Sequence, residues 1–438
     1  MSGRWNRGRL IAALFVFLCA PFSQAAEPLP TPLTLRQALL LADGEHPQLE
    51  QLQAALAIAE AAYAGAEADD DLTGGVEAAL RVIEPSPNST NQEHYDSWLK
   101  LRLSKRLYDF GRTEQSIAAA DAAREGRVWE LLELRQQRRL QVMEAFFGVL
   151  LADLKYAREN EAMSIAFIRF DRAQNRQQLG ETSDLEVLRL QRLFELSRRR
   201  VITSQNRQRI TRSQLAISLN RPDDLPAELE FPTLALGREA GELEPWIEKV
   251  LQDNPSLKAV RAAVSAAEQQ LHAAQAADNP VIRGELEAGA YQRQLGGRND
   301  MSAALVFELP LFSASRVDAE TAQRRAELRE RRAELALKQL ELRQSVLELW
   351  MELQQLQAER IELEVTSDYR ELYLDRARAR YEMEVSSDLG DSMVRESDIR
   401  LKQAQNDFNI ALTWAKLDAL TGELLTDQVP AEAAEGER

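Results

Sequence analysis

The side chains that could carry out a reaction are few and far apart. The chain holds one cysteine, Cys19, and three histidines, His46, His94 and His272, none of them close to another. A Cys/His zinc site needs several such ligands together, and a cysteine nucleophile needs a base beside it, so both are excluded. Asp69, Asp70 and Asp71, like the pair Asp223 and Asp224, fall where turns or helix caps are expected. Solvated turns account for them better than acid–base catalysis, which needs carboxylates in a shared, shielded site. The many Glu/Arg pairs elsewhere read as charge on helix surfaces. No catalytic residue, no cofactor and no metal is expected, and nothing supports an enzyme.

The elements that carry these residues are mostly helical. Of 438 residues, 45% are hydrophobic and 28% charged, enough to bury a large core. The net charge of −16 opposes a nucleic-acid partner, because neutralising phosphate takes a basic surface. Arg4, Arg7 and Arg9 precede an apolar run from Leu10 to Ala20, followed by Ser23-Gln24-Ala25. That run is short for a membrane span, so residues 1–25 are expected to be a cleaved secretory signal peptide. No later stretch reaches the length of an apolar membrane helix. If the exported chain enters a membrane, it must do so as strands.

The rest of the chain repeats itself. Pro47, Leu49, Ala54, Ala59, Glu60 and Ala66 recur as Pro255, Leu257, Ala262, Ala267, Glu268 and Ala274, 208 positions later. Further on, Asp171-Arg172-Ala173 and Ser183-Asp184-Leu185 return as Asp375-Arg376-Ala377 and Ser387-Asp388-Leu389. Residues 26–438 are therefore expected to be a single duplicated protomer. Repeat 1 covers about 33–220 and repeat 2 about 243–422, with a linker at about 221–242 and a tail at about 423–438. No proline occurs between Pro87 and Pro222 or between Pro310 and Pro430. Helical spacing of apolar residues within these spans, such as Val142, Phe146, Val149 and Leu150, predicts long helices over about 113–178 and 317–382. Each would be about 100 Å long and would need lateral partners along its length. Shorter helices are expected at about 35–70, 184–219, 243–277 and 388–421. Stacking 184–219 on 243–277, and 35–70 on 388–421, would match that length in a side-by-side palisade.

Each repeat also holds two alternating segments, at about 73–84 and 95–110, and at about 281–290 and 301–312. Val76, Ala78, Leu80 and Val82 face one way against Glu77 and Arg81, and Leu99, Leu101 and Leu103 alternate with Lys100, Arg102 and Ser104. Half-buried hairpins on a soluble domain would alternate in the same way. Each segment, however, has the length of a tilted membrane strand, with one apolar and one charged face and Tyr95, Trp98 and Tyr108 at its margins. Four strands cannot close a barrel in lipid, so insertion implies an oligomer; strand number alone permits a dimer or a trimer.

These residues resemble the TolC-type outer-membrane efflux and secretion channel family over essentially the whole exported chain. Leu33-Thr34-Leu35 through His46-Pro47-Gln48-Leu49 is similar to the family's opening. Leu107-Tyr108-Asp109-Phe110-Gly111-Arg112 is similar to its strand-to-helix junction, with Leu309-Pro310-Leu311-Phe312 and Ser315-Arg316 as the copy. The resemblance implies a mainly α protein with a membrane β-barrel portion, built from a duplicated helix–hairpin–long-helix unit. Four strands per protomer would give a twelve-stranded barrel in a homotrimer set in outer-membrane lipid, above a periplasmic α-helical barrel. It further implies a periplasmic adaptor and an inner-membrane pump as partners, with the channel serving as the passive exit duct of an efflux or type I secretion system. The alternative is a periplasmic coiled-coil scaffold or adaptor without a pore, which has no use for four membrane-length strands.

The family's adaptor-docking turn resembles Leu179, Gly180, Thr182 and Val187 in the first half and Met383 and Ser386 in the second. Glu181, Glu384 and Asp391 stand at positions where the family pattern has other residues. At the pore entrance, Tyr381 matches the family's gate tyrosine, while Ser386, Gly390 and Met393 replace its charged partners. Acid is still plentiful there, in Asp184 and Glu186 and in Asp388 and Asp391. Asp184 and Asp388 are expected chiefly as helix caps, and Glu186 and Asp391 as the better candidates for an acidic pore entrance.

Overall fold

The computed structural model describes residues 29–293, 298–311, 314–383 and 389–425. The expected signal peptide, Phe312, Ser386, Asp388 and most of the tail lie outside the described residues.

Two long helices set the scale, α3 (Arg112–Gln178) and α7 (Ala314–Glu382). At 1.5 Å per residue each runs about 100 Å. Around them lie α1 (Leu35–Ala42), α2 (Pro47–Ala68), α4 (Asp184–Ser218), α5 (Leu243–Asp253), α6 (Pro255–Gln275) and α8 (Leu389–Leu420). The single helices expected at 35–70 and 243–277 are each two helices. The break falls before Pro47 and Pro255, which lack a donor N–H and so open a new helix. Asn254 Oδ1 accepts the Leu257 amide at 2.8 Å, and His46 Nδ1 accepts that of Gln48 at 3.2 Å.

The short helices do stack end to end, but with other partners than expected. Asn220 Nδ2 donates to Glu45 O at 3.0 Å, which joins the end of α4 to the start of α2. Asn254 Nδ2 donates to Leu420 O at 2.9 Å, which joins α8 to α6. Each splice is thus made within one repeat. The long helix carries the chain down, and the short helix returns along it to meet the helix that began the repeat. The resulting order of rods is α4–α2, α3, α8–α6, α7, with α3 packed against the rods on both sides of it.

The main core lies at the waist of these rods. Val142, Phe146, Phe147, Val149 and Leu150 of α3 meet Leu33 and Ala38 near the start, Leu215 of α4 and Phe408 of α8. The Phe147 and Phe408 rings stack at 4.5 Å. Arg138 is buried among them; its guanidinium donates to Ala42 O at 3.3 Å and Ser218 O at 3.0 Å, satisfying the last turns of α1 and α4 together. The linker is fastened at the same level, with Arg238 over the Trp414 ring at 4.1 Å and 2.8 Å from Asp418.

Four antiparallel strands complete the fold, β1 (Thr73–Ala79), β2 (Trp98–Tyr108), β3 (Val281–Tyr291) and β4 (Met301–Glu308), in the order β1-β2-β3-β4. Three of them are shorter than the alternation predicts. β1 stops at Ala79, and only isolated pairs such as Val82–Tyr95 continue its ladder towards Pro85. β4 stops at Glu308, two residues before Pro310, which has no N–H to donate. β2 starts at Trp98 rather than at 95, and β3 gains Tyr291.

Candidate functional site

The sheet is two-faced through its centre, up to a register shift between Arg106 and Tyr108 of β2. Val76 pairs with Leu101, which pairs with Ala288, which pairs with Met301; Leu103, Leu286 and Ala303 form the next apolar row. On the other face Glu77 sits opposite Lys100, and Arg102 opposite Glu287 and then Ser302. Glu287 takes Lys100 at 3.1 Å and Arg102 at 3.3 Å, and Arg283 reaches Glu308 at 2.5 Å. Val76, Leu99, Met301, Leu305 and Phe307 are exposed on the apolar face. A soluble hairpin would bury that face; here it is open, and β1 and β4 each leave a free edge.

The junction between sheet and rods is a hard turn. Phe110 and Gly111 both adopt positive φ, +57° and +87°. Asp109 Oδ2 then accepts the Thr113 amide at 2.9 Å and the Thr113 hydroxyl at 2.5 Å, capping α3. The helix direction is thereby fixed relative to β2.

At the far end of the rods, α3 stops at Gln178 with Leu179 exposed and Gly180 left-handed at φ +77°. Thr182 is half-buried, and Ser183 caps α4 by accepting the Glu186 amide at 3.3 Å. Val187 of α4 is buried, while Leu185 and Leu188 are exposed. Tyr381 and Met383 are exposed at the end of α7. α8 starts close against α3: an added Cβ on Gly390 would lie 2.7 Å from Ile165 Cδ1.

The acidic candidates are distributed differently from a bare ring of carboxylates. Asp184 Oδ1 accepts from Gln177 Nε2 at 2.7 Å, which ties the two sides of the turn. Glu186 is gripped by Arg189 through two bonds of 2.7 Å, and that guanidinium holds its carboxyl below the usual carboxylate range. Asp391 pairs with Arg169 of α3 at 2.7 Å, so it ties α8 to α3. Further ties between these helices are Arg158–Asp398 at 3.2 Å and Lys416–Glu144 at 3.5 Å. Sequence reasoning missed Arg169 and Arg158 because they lie more than 200 positions from Asp391 and Asp398, and it missed Arg189 although that residue stands one helical turn from Glu186. It also missed two grooves above the tip. An apolar one of about 500 Å³ runs between α3 and α4, lined by Met163, Phe167, Ile168 and Phe194. A charged one of about 490 Å³ runs between α7 and α8, lined by Glu362, Arg370, Arg395, Asp398 and Lys402.

Residues 246–423 match the outer membrane efflux protein family. Protein CyaE of Bordetella pertussis is 27% identical over 222 residues, which are 49% of this chain and 46% of that protein. The chain thus spans about half the length of the curated relative it matches. Among solved structures, the outer membrane protein VceC from Vibrio cholerae superposes with a TM-score of 0.68 at 17% identity, over 89% of this chain and 94% of that one. The outer-membrane channel OprN gives 0.73 at 18%, over 89% and 90%. The open state of the Neisseria gonorrhoeae MtrE outer membrane channel gives 0.70 at 20%, over 89% of each.

Proposed function

We propose, for a chain with the fold of outer-membrane efflux channels and that family's signature over residues 246–423, that it is one protomer of an outer-membrane exit duct. Three copies close a twelve-stranded barrel in outer-membrane lipid and a helical tunnel in the periplasm. The duct conducts cargo passively and catalyses no reaction; an inner-membrane pump and a periplasmic adaptor deliver the cargo. One observation carries this reading: an open sheet with an exposed apolar face, a charged face and two free edges, set on rods of about 100 Å. A pore-less scaffold has no use for such a sheet.

The turn residues Leu179, Gly180, Thr182, Val187, Met383 and Ser386 form the adaptor-docking end. Tyr381, Asp184, Glu186, Asp388 and Asp391 stand at the entrance. Fractionation tests the reading: the protein should appear in the outer membrane as trimers that dissociate on heating, and recovery from the soluble periplasm would overturn it.

A further inference from the structure

α4 packs against α3, and α7 against the rod made of α8 and α6, so each outer rod leaves its opposite flank exposed. On α4 that flank carries one line of exposed residues, Leu188, Arg192, Arg199 and Ile202, on the side away from the buried Val187, Ser204 and Thr211. On α7 the corresponding line is Ile361, Val365, Asp368, Leu372 and Asp375, away from the buried Leu356, Leu363 and Leu374. The two lines carry opposite charge at the same period, since Arg192 and Arg199 are seven residues apart and so are Asp368 and Asp375. Within the protomer Arg192, Arg199 and Asp368 have no ionic partner among the described residues. Asp375 has Arg378, one turn away at 3.5 Å, and Glu195 on the α4 line is held by Arg198 at 3.5 Å.

Contacts inside the protomer fix the relative heights of these residues. Phe194 of α4 stacks with Phe170 of α3 at 6.1 Å, and Arg169 next to it pairs with Asp391 of α8 at 2.7 Å. α8 and α7 are antiparallel, with Asn406 Nδ2 donating to Leu356 O at 3.1 Å. Fifteen residues back from Asn406 is Asp391, and fifteen on from Leu356 is Glu371, so Phe194 and Glu371 stand at about the same height. Counted from there, Arg192 and Asp375 lie towards the tip, and Arg199 with Asp368 and Ile202 with Val365 lie away from it. Each pair is offset by two residues in the same direction, about 3 Å, so one small slide aligns all three.

We propose that α4 of one protomer lies antiparallel on α7 of the next, with Arg192 paired to Asp375, Arg199 to Asp368, and Ile202 packed on Val365; this seam rests on the closed ring of three proposed above and supplies its register. The seven-residue period keeps successive pairs on one line, as charges flanking a coiled-coil seam do. The apolar contact beside them excludes water and so strengthens the ion pairs. The contact is head to tail, because two like flanks would set arginine on arginine or aspartate on aspartate.

Residues 26–438 contain no cysteine, so introduced thiols report without background. With Ile202→Cys and Val365→Cys in one chain, a short bis-maleimide added to isolated outer membranes should link protomers into covalent dimers and trimers. Either cysteine alone should give monomers, as should Ile202→Cys with Leu337→Cys, which lies about 40 Å further from the tip on α7. Arg199→Asp should speed dissociation of the detergent-extracted trimer on the order of tenfold or more, and adding Asp368→Arg should bring the rate back to that of the parent. The seam is overturned if trimers seen by native mass spectrometry give no 202–365 link. A dissociation rate indifferent to Arg199→Asp, or one that the added Asp368→Arg leaves fast, would overturn it equally. Absence of trimers in the unmodified protein would instead remove the reading on which the seam rests.

Discussion

Gly180 is the residue on which the docking end turns. Its φ of +77° suits glycine, and proline, fixed near −65°, cannot occupy it. Gly180→Pro should reduce cargo export to that of a deletion strain, with normal trimer levels in the outer membrane. Unchanged export would place the docking end elsewhere. The entrance carboxylates call for a different variant. Because Glu186 and Asp391 each carry an arginine partner, the charge to remove is the positive one. Arg169→Ala with Arg189→Ala should raise cation preference in planar-bilayer reversal potentials, and by more than Glu186→Ala with Asp391→Ala lowers it. The folded pKa of Glu186 is depressed, so the pair with Arg189 is intact above the ordinary carboxylate range and is lost only as the pH falls through that lowered value. Selectivity should accordingly hold steady between about pH 7 and pH 5, both above the ordinary Glu pKa.

Among the elements, the long helices and the alternating strands were legible because proline exclusion and periodicity are local signals. The turn chemistry was legible in part: a cap was expected at Asp184, whereas Ser183 just before it caps α4 and Asp184 is the first residue of that helix. The splices were not. Adjacency in sequence suggested 184–219 upon 243–277, whereas Asn220 with Glu45 and Asn254 with Leu420 join helices far apart in the chain. Nor could periodicity show Arg138 as more than another charged helix position. Buried at the waist, it donates to carbonyls in the last turns of two helices, and burial lowers its pKa from the usual arginine value. Arg138→Met keeps the stem and removes both bonds. It should cost about 2–3 kcal/mol, read as a lower unfolding midpoint in denaturant, because unsatisfied buried acceptors cost about 1–3 kcal/mol each. A loss below about 0.5 kcal/mol, the size of an ordinary surface change, would mean that water replaces the guanidinium at both ends.

For the whole molecule, the rods end in two free flanks just as the sheet ends in two free edges. α7 carries Met351, Ile361, Val365 and Leu372 exposed on one flank, and α4 carries Leu188, Ile202, Ile210 and Ile217 on the other. On the proposed reading these edges meet in lipid, where an unpaired strand edge leaves several backbone groups unsatisfied at a few kcal/mol each, so the assembly is expected to be obligate. Native mass spectrometry of detergent-extracted protein should show the trimer, and a stable membrane-inserted monomer would be incompatible with it.

The seam between β2 and β3 also dictates an order of events. Thr73 and Ser104, paired across the first hairpin, are 31 residues apart, whereas Arg102 and Glu287, paired across the seam, are 185 apart. Closing the longer loop costs about 1.6 kcal/mol more in chain entropy, and much of that chain is the rods themselves. The seam therefore becomes affordable only once the waist core has brought the two repeats alongside each other. The hairpins can form locally, but the four-stranded sheet should be complete only after the helices have packed.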